Sequence, residues 1–347
     1  MLPNETPQAQ TAGQALTRAD ALGPILARRF NAYRADAKRS IFQLVTTGAA
    51  FLALLVVMGA MSQSRFWVTL LLAVPAGGLL VRLFIIQHDC GHGSFFKTRA
   101  ANDLLGRALS MLTLTPYGSW SQGHAAHHAS TGNLDRRGRG DVETWTVDEY
   151  LSSRPLKRLF YRLYRNPFLM VGLGAPINFI VLQRLPLHAN ADSRRSILAL
   201  DLALAVVFGV SCATFGVVRV LGIYLPVIVI AAWIGNWLFY VQHQFDRTEW
   251  ARDGEWDFHV ASLSGSSYFK LPPILRWFSG NIGLHHVHHL CSRVPNYHLQ
   301  ACVEAAPELD GVTQVVTLRE SVACWRLALW DERRRVLLAF RDLQSGV

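Results

Sequence analysis

Gly280–Leu290, reading GNIGLHHVHHL, sets four histidines in five positions inside an otherwise apolar run. On a helix, His285, His288 and His289 fall at i, i+3 and i+4, so their rings leave one face and can converge on one metal ion. Two clusters upstream repeat helical spacing: His88 and His92 in HDCGH, and His124, His127 and His128 in HAAHH. Nine of the chain's 13 histidines lie in these three clusters, which makes a shared site the simplest purpose for the rest of the chain.

The surrounding composition is that of a membrane protein. Of 347 residues, 51% are hydrophobic and only 17% charged, with a mean hydropathy of +0.20. A formal charge of +10 alone would suggest a nucleic-acid partner, but the basic residues crowd beside apolar spans and read as a cytoplasmic-face signal. Five cysteines with no CxxC pair exclude a disulfide framework and a zinc ribbon, and Cys90 and Cys291 read as small buried residues.

The expected architecture is all-α and integral to the membrane: four transmembrane helices in two hairpins, interfacial helices, and a cytoplasmic helical cap that holds a di-metal site. The spans are read at 41–61, 66–86, 197–218 and 223–241, each near the roughly 20 residues that cross a bilayer. Residues 1–40 read as a flexible, basic N-terminal tail without a signal peptide, 41–341 as one membrane domain, and 342–347 as a short tail. Arg82 lies one turn from the end of its span and is expected to snorkel to the interface. Residues 100–115 are too short and too charged to span and read as interfacial.

Segment 168–182 is uncharged but short, and Gly172, Gly174 and Pro176 interrupt it. Parity decides its place. Three crossings between His128 and His285 would separate the histidine clusters, so it is expected to be re-entrant or interfacial. The charge count agrees: the two outer loops carry one arginine each, the first 40 residues six basic residues, and 129–166 eight. The second hairpin is expected to turn at Arg219–Gly222, and the region from Pro307 onward has helical character.

Neutral imidazole ligates zinc, copper, iron or nickel, and eight or nine of them exceed the needs of one four-coordinate ion. Two metals are the natural count. His243, at the end of the last span, reads as a further ligand, and His286, off the ligand face, as a hydrogen-bonding neighbour. Asp89, Asp141 and Asp246 are candidates to fix histidine tautomers. His188, His259 and His298 lack partners in sequence and read as structural. Tyr268, Trp277 and Phe278 are candidate walls of an apolar substrate tunnel, or else interface anchors. A zinc peptidase is disfavoured, because HExxH is absent.

These residues resemble the membrane fatty acid desaturases, most closely the bacterial acyl-lipid branch. HDCGHGSFFKTR, HAAHHASTGNLDRRGRGDVETWTVDEY, YRNPFLMVGLGAP, FYVQHQFD, GSSYFKLP, GNIGLHHVHHL, RVPNYHL and LRESVACWRLALWDE carry the resemblance from about Phe84 to Phe340. It implies two iron ions held by His88, His92, His124, His127, His128, His243, His285, His288 and His289. It also implies formation of a cis double bond with O2 and two electrons. No cytochrome b5-like extension is recognised, so a separate donor, ferredoxin, is expected at the basic face. Related enzymes place an asparagine one turn before the lone histidine; here that position is Phe239, with Asn236 two turns back and Asn281 before His285 as substitutes. A lipid or carotenoid hydroxylase or ketolase and a non-enzymatic membrane metal-binding protein are the alternatives. The bacterial inner membrane, with the site on its cytoplasmic face, is the expected location.

Overall fold

The computed structural model describes residues 7–138, 140–187 and 189–345. Helix α1 (Pro7–Phe30) is followed by the first hairpin, α2 (Ala37–Met61) and α3 (Phe66–His92). Next come α4 (Arg99–Thr113), α5 (Tyr117–Ser130), α6 (Val147–Ser152), α7 (Pro155–Tyr164) and α8 (Ala175–Ile180). The second hairpin is α9 (Ala191–Phe215) and α10 (Val217–His243).

The four long helices have 25 or 27 residues, so they rise roughly 37–40 Å against a hydrocarbon core of about 30 Å. They are apolar enough to cross a membrane. Asp36 caps α2 by accepting from the Lys38 and Arg39 amides at 2.8 and 3.1 Å. The helices outrun the expected spans toward the site: α3 continues without a break through His88 and His92, and α10 ends on His243. Gly93 at φ +68° then closes α3 in the left-handed conformation.

Of the four, α3 is the most enclosed, with α2, α4 and α10 packed around it. A Cβ at Gly77 would lie 2.7 Å from Ile230, so glycine there sets the close approach of α3 to α10. Leu198, Leu202, Val206 and Val210 of α9 instead face outward at i, i+4 spacing, as a lipid-facing stripe requires.

The second hairpin turns at Gly216, φ +84°, and not at Arg219–Gly222 as expected. Only glycine adopts that backbone without strain. Arg219 therefore lies in the first turn of α10, where it reaches Ser62 Oγ at 3.1 Å and the Gly59 carbonyl at 2.5 Å and ties the hairpins together. Segment 168–182 forms a π-helical turn at Phe168–Gly174 that leads into α8, bent by 56° from α7. His128 and His288 meet, so the chain between them crosses an even number of times; α9 and α10 supply those crossings.

The N-terminal leader, expected to be a flexible tail, is a helix from Pro7 whose Ala19, Leu26 and Phe30 are buried. It packs on α11 (Phe258–Ser264), where Gly23 leaves room for His259. Arg18 and Arg29 fasten it to the Glu308 carbonyl at 2.9 Å and carboxylate at 2.5 Å. Its apolar residues are diluted among Ala, Gln and Thr, which hides the stripe from a hydropathy reading.

The cap continues with α12 (Pro273–Phe278), α13 (His285–Leu290), α14 (Leu299–Glu304) and α15 (Leu318–Cys324). It also contains short strands: β1 (Trp145–Thr146), β2 (Tyr268–Lys270), β3 (Val315–Thr317), β4 (Leu327–Asp331) and β5 (Val336–Ala339). β2 pairs with β3, and β1, β4 and β5 form a second small sheet. Among the described residues after Pro307, only α15 is α-helical, with short 3-10 turns at Pro307–Leu309 and Phe340–Ser345. Asp331 accepts from the Arg333 and Arg334 amides at 3.0 Å, and Arg335 takes φ +51°, turning LALWD back on VLLA as a β-hairpin.

Candidate metal centre

Four helices deliver the histidines: α3 gives His88 and His92, α5 gives His124, His127 and His128, α10 gives His243, and α13 gives His285, His288 and His289. Their ligand nitrogens form two groups, each with all its nitrogens within 4.8 Å of one another. One holds His88, His92, His124, His128 and His288, and the other His127, His243, His285 and His289. The expected convergence of His285, His288 and His289 on one ion is corrected here. Residues i+3 and i+4 are about 100° apart on a helix, so α13 divides its rings between the groups, as α5 does with His127 and His128.

The two groups are interlocked through α5 and α13, and the His128 and His289 rings stack at 4.1 Å across the boundary. Within the groups, Nε2···Nε2 separations are 3.0 Å for His288–His128 and His285–His243, 3.1 Å for His289–His285, and 3.2 Å for His127–His243 and His128–His124. Nitrogens about 2.1 Å from a common ion at a right angle lie about 3.0 Å apart, so the spacing fits metal ligation. His92 Nε2 is buried without a hydrogen-bond partner among the described residues, as a nitrogen reserved for a cation would be. Cys90 and Cys291 belong to neither group.

Burial, reinforced by neighbouring imidazoles, holds His124, His128, His285, His288 and His289 well below the ordinary histidine pKa, so they are neutral and ready to ligate at pH 7. Below about pH 6.5 the unfolded chain takes up protons that these buried rings refuse, so the metal-free protein loses stability as pH falls. Thermal melting in detergent is expected to be level from pH 8 to 7 and to drop progressively below 6.5. A melting temperature that rises on acidification would contradict this.

Two carboxylates orient rings. Asp141 makes a short contact with His127 Nδ1, and Asp89 Oδ1 lies 3.3 Å from His88 Nδ1, which turns each Nε2 toward its group. Asp89 Oδ2 is itself held by the Asn296 amide at 2.7 Å and side chain at 2.8 Å, and Gln43 Nε2 of α2 donates to Asn296 Oδ1 at 2.9 Å. This buried line from α2 to His88 escaped sequence reasoning, because Gln43 and Asn296 are 253 residues apart. Asp89→Asn is expected to lower metal affinity about 10–100-fold in the five-histidine group and to leave the other group loaded, as read by metal titration.

The remaining candidates part from the site. Asp246 accepts from Gln314 Nε2 at 2.5 Å and braces the cap. His286 faces Tyr268, at 6.1 Å between ring centroids, and its pKa is pushed down to about 4 by burial. Asn281, at φ +59°, donates to the Asn296 carbonyl at 3.3 Å and tightens the turn before α13. Asn236 Nδ2 is buried without a partner among the described residues. Phe239 packs its ring 5.3 Å from both His127 and His243.

Tyr268 lies in β2, and Phe278 abuts Gly78 of α3. Trp277 lies 4.3 Å beneath the Arg82 guanidinium, which also donates to Thr47 Oγ1 at 3.2 Å; Arg82 thus bridges α2, α3 and α12. His298 packs between Tyr33 and Tyr297, and His188 lies outside the described residues. Trp120, one turn before His124, was missed; it stacks on that ring at 4.6 Å.

A family model for fatty acid desaturases matches residues 65–316, a range that includes all nine histidines. The chain belongs to the fatty acid desaturase family. This desaturase is 39% identical over 310 residues to a fatty acid desaturase of Bacillus subtilis, covering 89% of this chain and 88% of the relative. It is 29% identical to an sn-1 oleoyl-lipid 12-desaturase of a Synechocystis strain, over 65% of this chain and 64% of that one. An sn-1 acyl-lipid omega-3 desaturase (ferredoxin) of the same strain is also 29% identical, over 68% and 66%. The family makes this membrane protein an oxidoreductase.

Proposed function

We propose that this desaturase introduces a cis double bond into an acyl chain of a membrane lipid, using O2 and two electrons at a histidine-held di-iron centre. The carrying observation is the pair of interlocked nitrogen groups at the ends of two apolar hairpins, in a chain related to acyl-lipid desaturases. Two irons held by these nine histidines would supply the oxygen chemistry that an unactivated C–H bond demands.

The protein's part is to hold and orient. His88, His92, His124, His128 and His288 form one binding group, and His127, His243, His285 and His289 the other. Asp89 and Asp141 keep the Nδ1 protons of His88 and His127 in place, so that Nε2 remains the donor atom. A shell of Tyr240, Val241, Leu284 and Val287, all buried, limits water beside the groups. The lipid chain enters from the bilayer. Electrons come from a separate carrier, with ferredoxin supported by the ferredoxin-linked omega-3 desaturase among the relatives and by the formal charge of +10. The site faces the cytoplasm of a bacterial inner membrane, in keeping with the basic 129–166 segment.

Gas chromatography–mass spectrometry of fatty acids from a host expressing the chain, beside a His288→Ala control, tests the proposal. New unsaturated chains absent from the control are expected. Hydroxylated or keto products would reassign the reaction, and an unchanged profile with iron bound and ferredoxin supplied would refute it.

A further inference from the structure

An open groove of about 560 Å³ lies where α1 gives way to α2, lined by Tyr33, Arg34, Asp36, Lys38, Lys97 and His298 among others. Because α2 and α3 are an antiparallel pair, the start of α2 and the end of α3 share one membrane face, and the groove lies on the same face as the metal centre. Arg34, Lys38 and Lys97 are exposed, and none has a carboxylate partner among the described residues. The one acid in the groove, Asp36, is committed to capping α2. A cluster of free cations at the headgroup level of a bilayer attracts anionic lipid.

The walls are fastened together. The Asp36 amide donates to Tyr297 Oη at 2.9 Å, and Ser40 Oγ donates to the Phe95 carbonyl at 2.6 Å. Segments 33–40, 95–97 and 297–298 are thereby held around one opening. One short helical turn, Asn296–His298, borders it. At one end of that turn His298 lines the groove; at the other, Asn296 holds the Asp89 carboxylate beside His88.

We propose that this groove binds the phosphate of the glycerophospholipid whose acyl chain is desaturated, through Arg34, Lys38 and Lys97. The inference rests on the acyl-lipid reading above and adds the head-group class. The ligand chemistry is an anionic phosphate, which a lipid or free inorganic phosphate could bring; the anchoring chain in the bilayer favours the lipid. A guanidinium and two ammonium groups match a phosphodiester, whereas an uncharged sugar head group gains nothing from them.

The test uses iron-loaded protein in nanodiscs of an uncharged diacyl glycolipid, titrated with spin-labelled phosphatidylglycerol. Wild type is compared with the triple variant Arg34→Gln/Lys38→Gln/Lys97→Gln and with each single variant, iron content and melting temperature serving as folding controls. The triple variant is expected to bind phosphatidylglycerol at least about tenfold more weakly, the singles each less so, with iron content unchanged. In turnover on mixed vesicles, new double bonds are expected to shift from phosphatidylglycerol toward the glycolipid.

Unaltered phosphatidylglycerol binding in the variants would overturn the proposal. So would inorganic phosphate that displaces the lipid at equal concentration, or weakened binding with an unshifted product distribution. If wild type makes no double bond in either lipid, the acyl-lipid reading fails separately, while the binding titration still decides whether the groove holds phosphate.

Discussion

His285→Ala is expected to reduce bound iron from two ions per chain to one and to lower double-bond formation by more than about a hundredfold, since losing even a supporting neighbour of a ligand costs 10–100-fold. His285 Nε2 lies 3.0 Å from His243 Nε2 and 3.1 Å from His289 Nε2, so its removal leaves the four-nitrogen group with three donors. The five-histidine group keeps all its members. The adjacent His286→Ala is the control, because His286 is equally buried but points at Tyr268 outside both groups. Metal analysis of the two purified variants, with fatty-acid profiling of the host, reads the outcome. Equal iron content in both variants would show that the division of α13 between two groups is wrong.

Arg165→Met is expected to destabilise the protein by at least about 3 kcal/mol and to weaken the same four-nitrogen group. Its guanidinium is buried and, among the described residues, has only neutral partners. Nη2 donates to Gln244 Oε1 and the Leu327 carbonyl at 2.7 Å and to Tyr240 Oη at 3.2 Å, and Nη1 to the Glu143 carbonyl at 3.1 Å. One side chain thus clamps the end of α10, the β1 approach and strand β4 together. Tyr240 and Gln244 flank His243, and Glu143 follows Asp141 by two residues, so the clamp holds both the ligand and the carboxylate that orients His127. Methionine fills the volume but leaves several buried acceptors unpaired. Thermal melting and metal titration test this, and Arg165→Lys, which cannot reach all the acceptors, is expected to fall between the two. A melting temperature unchanged by Arg165→Met would contradict the clamp.

The histidines were legible because their spacing follows the helical repeat and because 20-residue apolar runs have no soluble alternative. The groups they join were less so. Adjacent ligands such as His127 and His128 point about 100° apart, which decides the partition, but an i, i+3, i+4 reading merges them. Asp89 and Asp141 were found because each lies in or near a histidine cluster in the sequence; Asn296, Gln43 and Arg165 were not, since only folding brings them to the site. Asp246 follows His243 by three residues yet serves Gln314, which shows how little sequence proximity says after a helix ends. The cap misled for a different reason. Leu327–Trp330 and Val336–Ala339 are apolar runs separated by charges, and that pattern reads as a helix until the Asp331 turn is recognised as a hairpin. Helix α1 is too weakly apolar to stand out and becomes legible only through what it packs against.

Mössbauer spectroscopy of the protein loaded with 57Fe tests the two-group centre most directly. Two iron signals of equal area with distinct parameters are expected, because one ion would have five histidine nitrogens available and the other four. A single iron environment, or one iron per chain at saturation, would contradict the account.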